Sequence, residues 1–343
     1  MIYIRTDANE IIATGHVMRC LTIAEEIVSL GGSVRFVVSD QQSLPLIQER
    51  NFDYIVMNDQ WNHVCLQEER RQLSREMTET DWLLVDSYYI HNDYLEAMRE
   101  LCKVATFDDM FDEKKDADMI INYNVFYREF DYAGRYEGCD CRLLLGEKYV
   151  PLRKQFYDEA PQRTNHDFLR QRVLLLCGGT DKYNIVNTCL QYIKEKDIEL
   201  FNMIEWQVVA GACSFIDDVT LRLNNVHMYR NVTDMSMLMK KTDICLTAAS
   251  TVLYESCCML LPTIFFTCAR DQKLDVPFWS NHSMMLYCGD LIDKELETLD
   301  TILVNLRGLV KNREKQEYMR DLMSGKIDGK GAERICRCFL GEV

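Results

Sequence analysis

Short apolar segments alternate with amphipathic ones along the first half of the chain. The stretches between the apolar segments, such as residues 17–30 and 93–102, repeat apolar side chains at helical spacing. Continuous apolar runs of this length are typical of buried parallel strands. The apolar segments are residues 2–4, 33–38, 54–57, 82–86, 103–107 and 119–122. The alternation predicts a parallel sheet with helices on both faces.

The alternation of apolar and amphipathic segments is interrupted once and then continues. Residues 158–171 are charged, contain Pro161 and lack a strong apolar period, which indicates a linker. Apolar runs at 173–177, 205–210, 244–247 and 263–266 then predict further strands, and residues 328–334 open a last helix. We therefore predict an N-terminal Rossmann-like domain over residues 1–160, a C-terminal one over 172–325, and a C-terminal helix over 326–343.

The first strand-to-helix turn is the first candidate site. It carries Thr14, Gly15 and His16 directly before an amphipathic run. Ligands of open α/β sheets bind beyond the carboxyl ends of the strands, and helix N–H groups favour an anionic group. Gly15 allows close backbone approach. A free imidazole, with a pKa of about 6.5, can accept a proton from water at neutral pH. The alternative is that His16 is a capping or surface histidine.

Polar residues also follow the later strands of the first domain. Asp86, Ser87 and Tyr88 follow residues 82–85, Asp108 and Asp109 follow the next strand, and Asn122 and Asn124 come after that. These side chains are expected at the same edge of the sheet as His16. Asp86 is interpreted as orienting its neighbours, with solvation at a strand end as the alternative.

Two segments of the second domain suit a nucleotide diphosphate. The first is a glycine loop before a helix, which either cradles a diphosphate or is a plain tight turn; it comprises Gly178, Gly179, Thr180, Asp181 and Asn184. The second is a helix start where Ser250 and Thr251 offer hydroxyl and N–H groups to phosphate. Glu255 lies one turn on and can accept bonds from ribose hydroxyls, or is simply a solvated carboxylate. Together these groups suit UDP.

The composition of the chain argues against several classes of binding partner. The chain has 343 residues, of which 48% are hydrophobic, and a formal net charge of −15, so a nucleic-acid or anionic-membrane surface is not expected. It starts directly in a strand pattern and lacks an 18-residue apolar run, so we expect a cytoplasmic, monomeric protein without membrane insertion. The 15 cysteines lack C-x-x-C spacing and are interpreted as reduced. No His, Asp or Glu cluster has metal-ligand spacing, so neither a metal nor a cofactor is expected.

Seven motifs, in order over nearly the whole chain, resemble the PseG family. They are Arg5-x-Asp7 with Thr14 to Leu21, Val85 to Tyr88, Phe107 to Asp109, Asn122 to Asn124, Gly178 to Asn184, Ala249 to Glu255, and Asp328-Gly329-x-Gly331. That family hydrolyses UDP-2,4-diacetamido-2,4,6-trideoxy-β-L-altrose in pseudaminic acid (nonulosonic acid) biosynthesis. The resemblance implies a GT-B-like fold related to MurG-type glycosyltransferases, in which two doubly wound Rossmann-type domains face an interdomain cleft.

The resemblance also implies residue roles. His16 is the expected general base, Tyr88 lies beside it at the sugar, and Ser250, Thr251 and Glu255 hold UDP. Arg5, Asp7, Gly15, Asn122 and Asn124 line the sugar side, and the expected substrate-binding set also includes Arg19, Asp86, Gly178, Gly179, Thr180, Asp181 and Asn184. The chain departs from similar sequences at Ala13 and Ala249, where glycine is common.

The expected reaction is inverting hydrolysis of the glycosyl diphosphate bond, with C–O cleavage that yields free sugar and UDP. UDP is a good leaving group, so the reaction needs an activated water and donors for the diphosphate rather than a strong acid. Two alternatives stay open. One is a GT-B glycosyltransferase that passes the sugar to an acceptor, and the other is a non-catalytic nucleotide-sugar binding protein.

Overall fold

A computed structural model describes residues 1–9, 12, 14–158, 170–179, 181–211, 214–216 and 218–342. The chain divides into two compact units. The first comprises Met1–Lys154 together with the chain from Gly329 onward, and the second comprises Gln155–Asp328. The last segment of the chain therefore belongs to the first unit.

Each unit contains one parallel sheet, and the described strands of both sheets run in the same sense as their neighbours. The first sheet consists of β1 (Ile2–Thr6), β2 (Val34–Val38), β3 (Asp53–Val56), β4 (Trp82–Asp86), β5 (Lys103–Phe107), β6 (Met119–Asn122) and β7 (Arg142–Leu145). The second consists of β8 (Gln171–Leu176), β9 (Ile204–Val209), β10 (Val226–Tyr229), β11 (Ile244–Ala248), β12 (Thr263–Thr267) and β13 (Leu286–Asp290).

Helices connect the strands. They are α1 (Gly15–Ser29), α2 (Leu44–Gln48), α3 (Leu66–Leu73), α4 (Asn92–Arg99), α5 (Tyr132–Arg135), α6 (Lys154–Asp158), α7 (Ile185–Lys196), α8 (Ile198–Met203), α9 (Asp218–Leu221), α10 (Met235–Lys240), α11 (Thr251–Cys258), α12 (Val276–Trp279), α13 (Glu295–Val310), α14 (Arg313–Met323) and α15 (Gly331–Leu340). No helix among the described residues is long and apolar enough to cross a membrane.

The strand order places a reversal point in each sheet. The first sheet has the order β3-β2-β1-β4-β5-β6-β7 and the second the order β10-β9-β8-β11-β12-β13. Chain connections therefore diverge between β1 and β4, and again between β8 and β11. Crevices at such points are the usual ligand sites of doubly wound sheets. The predicted fold class, α/β with two doubly wound parallel sheets, is confirmed.

The helix α1 shows why the sequence folds this way around the first reversal point. Val17, Leu21, Ala24 and Ile27 recur at helical spacing and are all buried. Burying a side chain as large as those of Val17, Leu21 and Ile27 stabilises the fold by about 1.5–3 kcal/mol. The chain turns after the helix at Gly31, whose φ of +85° suits glycine.

The last helix, α15, packs against α1. The thiol of Cys336 donates to the carbonyl of Ile23 at 3.4 Å, and both side chains are buried. A Cβ atom at Gly331, where α15 begins, would lie 2.1 Å from the carbonyl oxygen of Val150. Glycine is therefore required for this close approach of α15 to the rest of the first unit.

The sequence does not predict three of the described strands, namely β7, β10 and β13. In β10 His227 interrupts the hydrophobic residues, and Val226 alone is buried. In β13 the apolar run is only three residues long, because Gly289 and Asp290 form the end of the strand. The polar segment after β3 forms helix α3, which ends at Leu73. Residues 159–169 of the predicted linker lie outside the described residues.

Candidate active site

The first reversal point brings His16 and Asp86 together. His16 lies in the first turn of α1, which follows β1, and Asp86 is the last residue of β4. Because β1 and β4 are hydrogen-bonded neighbours, both residues lie at the same edge of the sheet. Nδ1 of His16 is 2.7 Å from Oδ1 of Asp86. Seventy residues of sequence separate the two members of this pair.

The ionisation state of Asp86 determines which nitrogen of the His16 imidazole carries the proton. Burial alone would raise the pKa of this carboxyl, but the guanidinium of Arg19 and the imidazole of His16 hold the pKa well below its usual range. An ionised carboxylate only accepts hydrogen bonds, so Nδ1 of His16 carries the shared proton. In the neutral imidazole Nε2 then keeps its lone pair, which is the arrangement of a general base oriented by a carboxylate.

Arg19 supports this pair, and its N–H donors all have partners in the protein. Its Nε and Nη2 donate to Asp86 at 2.6 and 2.5 Å, its Nη1 and Nη2 donate to Asp109 at 3.1 and 2.7 Å, and Nη1 also donates to Tyr123 at 3.1 Å. The guanidinium stacks on Phe107, 4.0 Å from the ring centroid. A guanidinium has five N–H donors, and these contacts match all five. The sequence predicts that Arg19 binds substrate, and in the structure its N–H donors face protein groups.

Asp109 belongs to the site, although the sequence analysis did not include it among the site residues. Besides Arg19, it accepts from Nδ2 of Asn124 at 3.3 Å. The adjacent Asp108 is turned into the protein, where it accepts from the Tyr132 hydroxyl and the Phe111 N–H. Burial raises the pKa of Asp108. The available signal was the polar pair after β5, but the sequence does not tell which member faces the site.

Tyr88 covers one side of His16. The two rings meet edge to face, with centroids 4.5 Å apart and planes at 84°. The side chain nevertheless stays exposed, at 57% of its surface. An exposed ring beside the imidazole fits the predicted place for Tyr88 next to a bound sugar.

Asn122 and Asn124 lie at the end of β6 and have different environments. Asn122 is fully buried, donates to the Tyr132 hydroxyl at 2.8 Å and accepts from the N–H of Asn124 at 2.9 Å. Asn124 is partly exposed and reaches Asp109. Asn122 therefore holds the loop, whereas Asn124 is available at the edge of the sheet.

Arg5 and Asp7 form a separate buried cluster. Arg5 is completely inaccessible to solvent and donates to Asp7, Ser39 and Glu69. Glu69 also accepts from the Tyr94 hydroxyl at 2.8 Å. The sequence predicts Arg5 and Asp7 at the sugar side, and in the structure both side chains have buried protein partners. Gly15, in contrast, is exposed, with open space where a Cβ would lie.

In the second unit, the glycine loop follows β8. Gly178 adopts a φ of +66°, and open space surrounds the Cβ positions of both Gly178 and Gly179. A ligand can therefore approach the backbone closely here. Thr180, also predicted to bind substrate, lies outside the described residues.

Asp181 acts as a clamp. Its buried carboxylate accepts from the N–H groups of Ile185 and Val186 at 2.7 and 3.3 Å, and from the Ser214 hydroxyl at 2.5 Å. It thereby satisfies the first two N–H groups of α7, whose N-cap residue is Asn184, and it holds Ser214 in the loop after β9. Asn184 adds to this clamp, because its Oδ1 accepts from the N–H of Phe215 at 2.8 Å. The sequence predicts Asp181 and Asn184 as ligand groups, whereas the structure shows them bonded to protein.

The start of α11 lies at the second reversal point. The Ser250 hydroxyl accepts from the N–H of Val252 at 3.3 Å and so caps the helix. Thr251 is exposed, and Glu255 is half-buried one turn further along. These residues present one hydroxyl and one carboxylate at the carboxyl edge of the second sheet. Within the described residues, no group of three or more His, Cys, Asp or Glu side chains is arranged to hold a metal ion.

Comparison with models of known protein families finds no match for this chain. An uncharacterized protein of Methanocaldococcus jannaschii is 26% identical over 279 residues, which are 77% of this chain and 54% of that protein. The chain thus spans about half the length of the curated relative it matches.

Solved structures align with nearly the whole length of the chain. Acinetobacter baumannii MurG aligns with a TM-score of 0.64 and 13% identity over 99% of both chains. A glycosyltransferase from Rickettsia africae aligns with a TM-score of 0.60 and 12% identity over 100% of this chain and 99% of its own. An Arabidopsis thaliana UGT in complex with UDP-L-rhamnose gives 0.62 and 11% over 98% of each chain. At these identities the likeness concerns the fold, and the chain has a GT-B-like fold with two parallel-sheet α/β units.

Proposed function

We propose that this protein hydrolyses a UDP-activated diacetamido-trideoxyhexose to free sugar and UDP. The observation that carries the proposal is the His16–Asp86 pair at the carboxyl edge of the first sheet. A histidine whose Nδ1 is held by a buried carboxylate is equipped to take a proton from water. The seven motifs that resemble the PseG family supply the substrate, UDP-2,4-diacetamido-2,4,6-trideoxy-β-L-altrose, and the role in pseudaminic acid biosynthesis.

The proposed step is a single displacement. A water oxygen bonds to the anomeric carbon while Nε2 of His16 takes one of its protons. The bond between that carbon and the diphosphate oxygen breaks, and its electron pair leaves with UDP. One displacement inverts the anomeric centre, and UDP keeps its bridging oxygen. Tyr88, beside the imidazole, is proposed to contact the sugar.

The second unit is proposed to hold UDP. The open backbone at Gly178 and Gly179 and the exposed Thr251 offer donors to the diphosphate. Glu255 is proposed to accept from the ribose hydroxyls. The solved structures of like fold include one in complex with UDP-L-rhamnose, which supports a UDP-sugar as the ligand class. Arg19, Asp7 and Asn122 are proposed to act indirectly, through the loops they support.

The origin of the product oxygen tests the proposal. The purified chain is incubated with the UDP-diacetamido sugar in ¹⁸O-water, and the products are examined by mass spectrometry and by NMR before mutarotation. The label is expected in the free sugar, in the inverted anomer, and not in UDP. Label in the nucleotide, or release of UMP and sugar phosphate, contradicts the proposed bond cleavage.

A variant pair tests the role of His16 in the same assay. His16→Ala should lower turnover about 10²- to 10⁴-fold, the usual effect of losing a general base, with UDP affinity unchanged. His227→Ala is the matched control, because this exposed histidine pairs with Glu205 on the second sheet. Full turnover by His16→Ala would remove the assigned base.

Transfer to an acceptor is the second candidate, favoured by the solved glycosyltransferase of like fold. It uses the same activated sugar but replaces water with an alcohol. If UDP release is negligible in water and rises on addition of an acceptor, transfer replaces hydrolysis. If the chain binds UDP-sugar and releases no UDP under either condition, it is a binding protein.

A further inference from the structure

The charges around His16 do not balance. One guanidinium, Arg19, is shared by two carboxylates, Asp86 and Asp109. With a neutral imidazole the cluster carries one excess negative charge, and with a protonated imidazole it is neutral. Asp86 alone would be compensated by Arg19, so the excess charge comes from Asp109.

Asp109 is close enough to act on the imidazole through space. Nη2 of Arg19 is 3.3 Å from Nδ1 of His16 and 2.7 Å from Oδ2 of Asp109. The carboxylate oxygen and Nδ1 are therefore no more than 6.0 Å apart, since those two distances add to this limit. The side chains of His16, Arg19 and Asp109 are each at least 88% buried, which limits screening by solvent.

We propose that Asp109 is a positioning residue that fixes Arg19 and supplies the negative charge that favours proton uptake by His16. The inference rests on the proposed role of His16 as base. Asp109 also accepts from Asn124 and lies 3.5 Å from the Tyr88 hydroxyl, so it connects the loops after β4, β5 and β6 to α1. One carboxylate thus sets both the position and the charge of the groups around the imidazole.

The remaining titratable groups of the cluster do not supply this charge. Cys20 on α1 donates its thiol to Asp86, and burial raises the pKa of that thiol. Burial also raises the pKa of Tyr123 to about 12, although Arg19 opposes the shift, so the phenol is neutral at physiological pH. Among the residues that the structure describes, the charged and titratable groups around His16 are Asp86 from β4, Tyr88 after β4, Arg19 and Cys20 from α1, Asp109 after β5 and Tyr123 after β6.

The direct test is an NMR titration of the His16 ring protons, which needs no substrate. The His16 signal is assigned by its loss in His16→Asn. In Asp109→Asn the titration midpoint should fall by about one pH unit, as expected for removing a nearby charge in a partly buried site. Asp112→Asn is the matched control, because it removes a carboxylate from the same loop, where Asp112 is exposed and paired with Lys115. Its midpoint should move by less than about 0.3 unit.

Kinetics give the second readout. The acid limb of the pH–rate profile should move to lower pH in Asp109→Asn, and the plateau kcat should fall by at most about tenfold, because the base is weaker by about one pH unit. Asp109→Glu should restore the midpoint, because the charge returns. If Asp109→Asn does not fold, comparison of Asp109→Glu with Asp109→Gln makes the same measurement.

The outcomes separate the two proposals. An unchanged His16 midpoint in Asp109→Asn overturns the inference about Asp109 even if the wild-type protein hydrolyses its substrate. A shifted midpoint in a protein that hydrolyses no UDP-sugar supports the electrostatic role and contradicts the proposed function alone. A midpoint that moves equally in Asp112→Asn would show a general charge effect and would also overturn the inference.

Discussion

The ring of Tyr88 stands edge-on to the imidazole of His16, with the two planes at 84°. Edge-to-face aromatic pairs contribute about 0.5–1.5 kcal/mol beyond their buried area. The Tyr88 hydroxyl, in contrast, is 3.5 Å from Asp109, which is long for a hydrogen bond between oxygens. The contact with His16 therefore depends on the ring more than on the hydroxyl.

Substitutions at Tyr88 should separate the contribution of the ring to kcat from that of the hydroxyl. Tyr88→Phe keeps the edge-to-face contact, so kcat should stay within about threefold of the wild type, whereas Tyr88→Ala should lower it by about three- to tenfold. Tyr89→Ala is the matched control, since the ring of Tyr89 contacts Trp61 and not His16. If Tyr88→Phe loses as much activity as Tyr88→Ala, the hydroxyl is the functional group.

The pKa of Asp86 predicts a pH dependence of stability. Because Arg19 and His16 hold this pKa below the value of about 3.9 of a free aspartate, the carboxylate stabilises the folded state above that pH. The stabilisation is lost as the pH falls through the folded-state pKa. Asp86→Asn should therefore cost about 2–4 kcal/mol near pH 5 and less near pH 3.

Urea unfolding at a series of pH values checks this prediction. The difference in the free energy of unfolding between the wild type and Asp86→Asn should shrink steadily between those two pH values. Asp53→Asn is the control, because Asp53 is exposed on β3 and the difference should stay small throughout. A difference that grows on acidification would contradict the assigned ionisation of Asp86.

The proposed ribose contact of Glu255 predicts a loss of UDP affinity. Glu255→Ala should weaken binding by about 1–3 kcal/mol, the usual effect of losing hydrogen bonds to a charged group. Isothermal titration calorimetry with UDP measures this directly. Glu199→Ala serves as control, since α8 precedes β9 and lies at the opposite, amino-terminal edge of the sheet. Equal affinity of wild type and Glu255→Ala would remove Glu255 from the site.

The sequence predicts the parts of the site that depend on strand ends. His16 follows β1 and Asp86 ends β4, so the alternation of apolar and amphipathic segments predicts both at the same edge of a parallel sheet. That β1 and β4 are direct neighbours comes from the observed strand order. The two parallel sheets follow from the same alternation. The strand β10 carries a weaker signal, because His227 interrupts its hydrophobic residues.

The sequence does not predict the direction in which each side chain of the site points. Asp108 and Asp109 are chemically identical neighbours, yet one bonds to Tyr132 in the interior and the other to Arg19. The roles of Arg5 and Arg19 depend on whether carboxylates from distant segments reach their guanidinium groups, which periodicity does not show. Asp181 is an intermediate case, since an aspartate ahead of a helix is a capping signal that the sequence does carry.

The last prediction concerns Asp181, which either holds the loop after β9 or contacts the nucleotide. Measurements of UDP binding and of stability distinguish these two roles. Asp181→Ala leaves the N–H groups of Ile185 and Val186 and the Ser214 hydroxyl without their acceptor. The free energy of unfolding should fall by about 2–4 kcal/mol, measured by urea unfolding. Asp197→Ala is the control, since Asp197 caps α8 at a more exposed position and should cost about 1 kcal/mol.

Ser214→Ala completes the argument, because it removes one donor and leaves the carboxylate in place. It should cost about 1 kcal/mol and leave the affinity for UDP unchanged. If Asp181 contacts the nucleotide instead, Asp181→Asn should lower UDP affinity while stability stays near that of the wild type. Stability lost in Asp181→Ala together with unchanged UDP affinity in both Ser214→Ala and Asp181→Asn would establish that the carboxylate holds the loop after β9 and not the ligand.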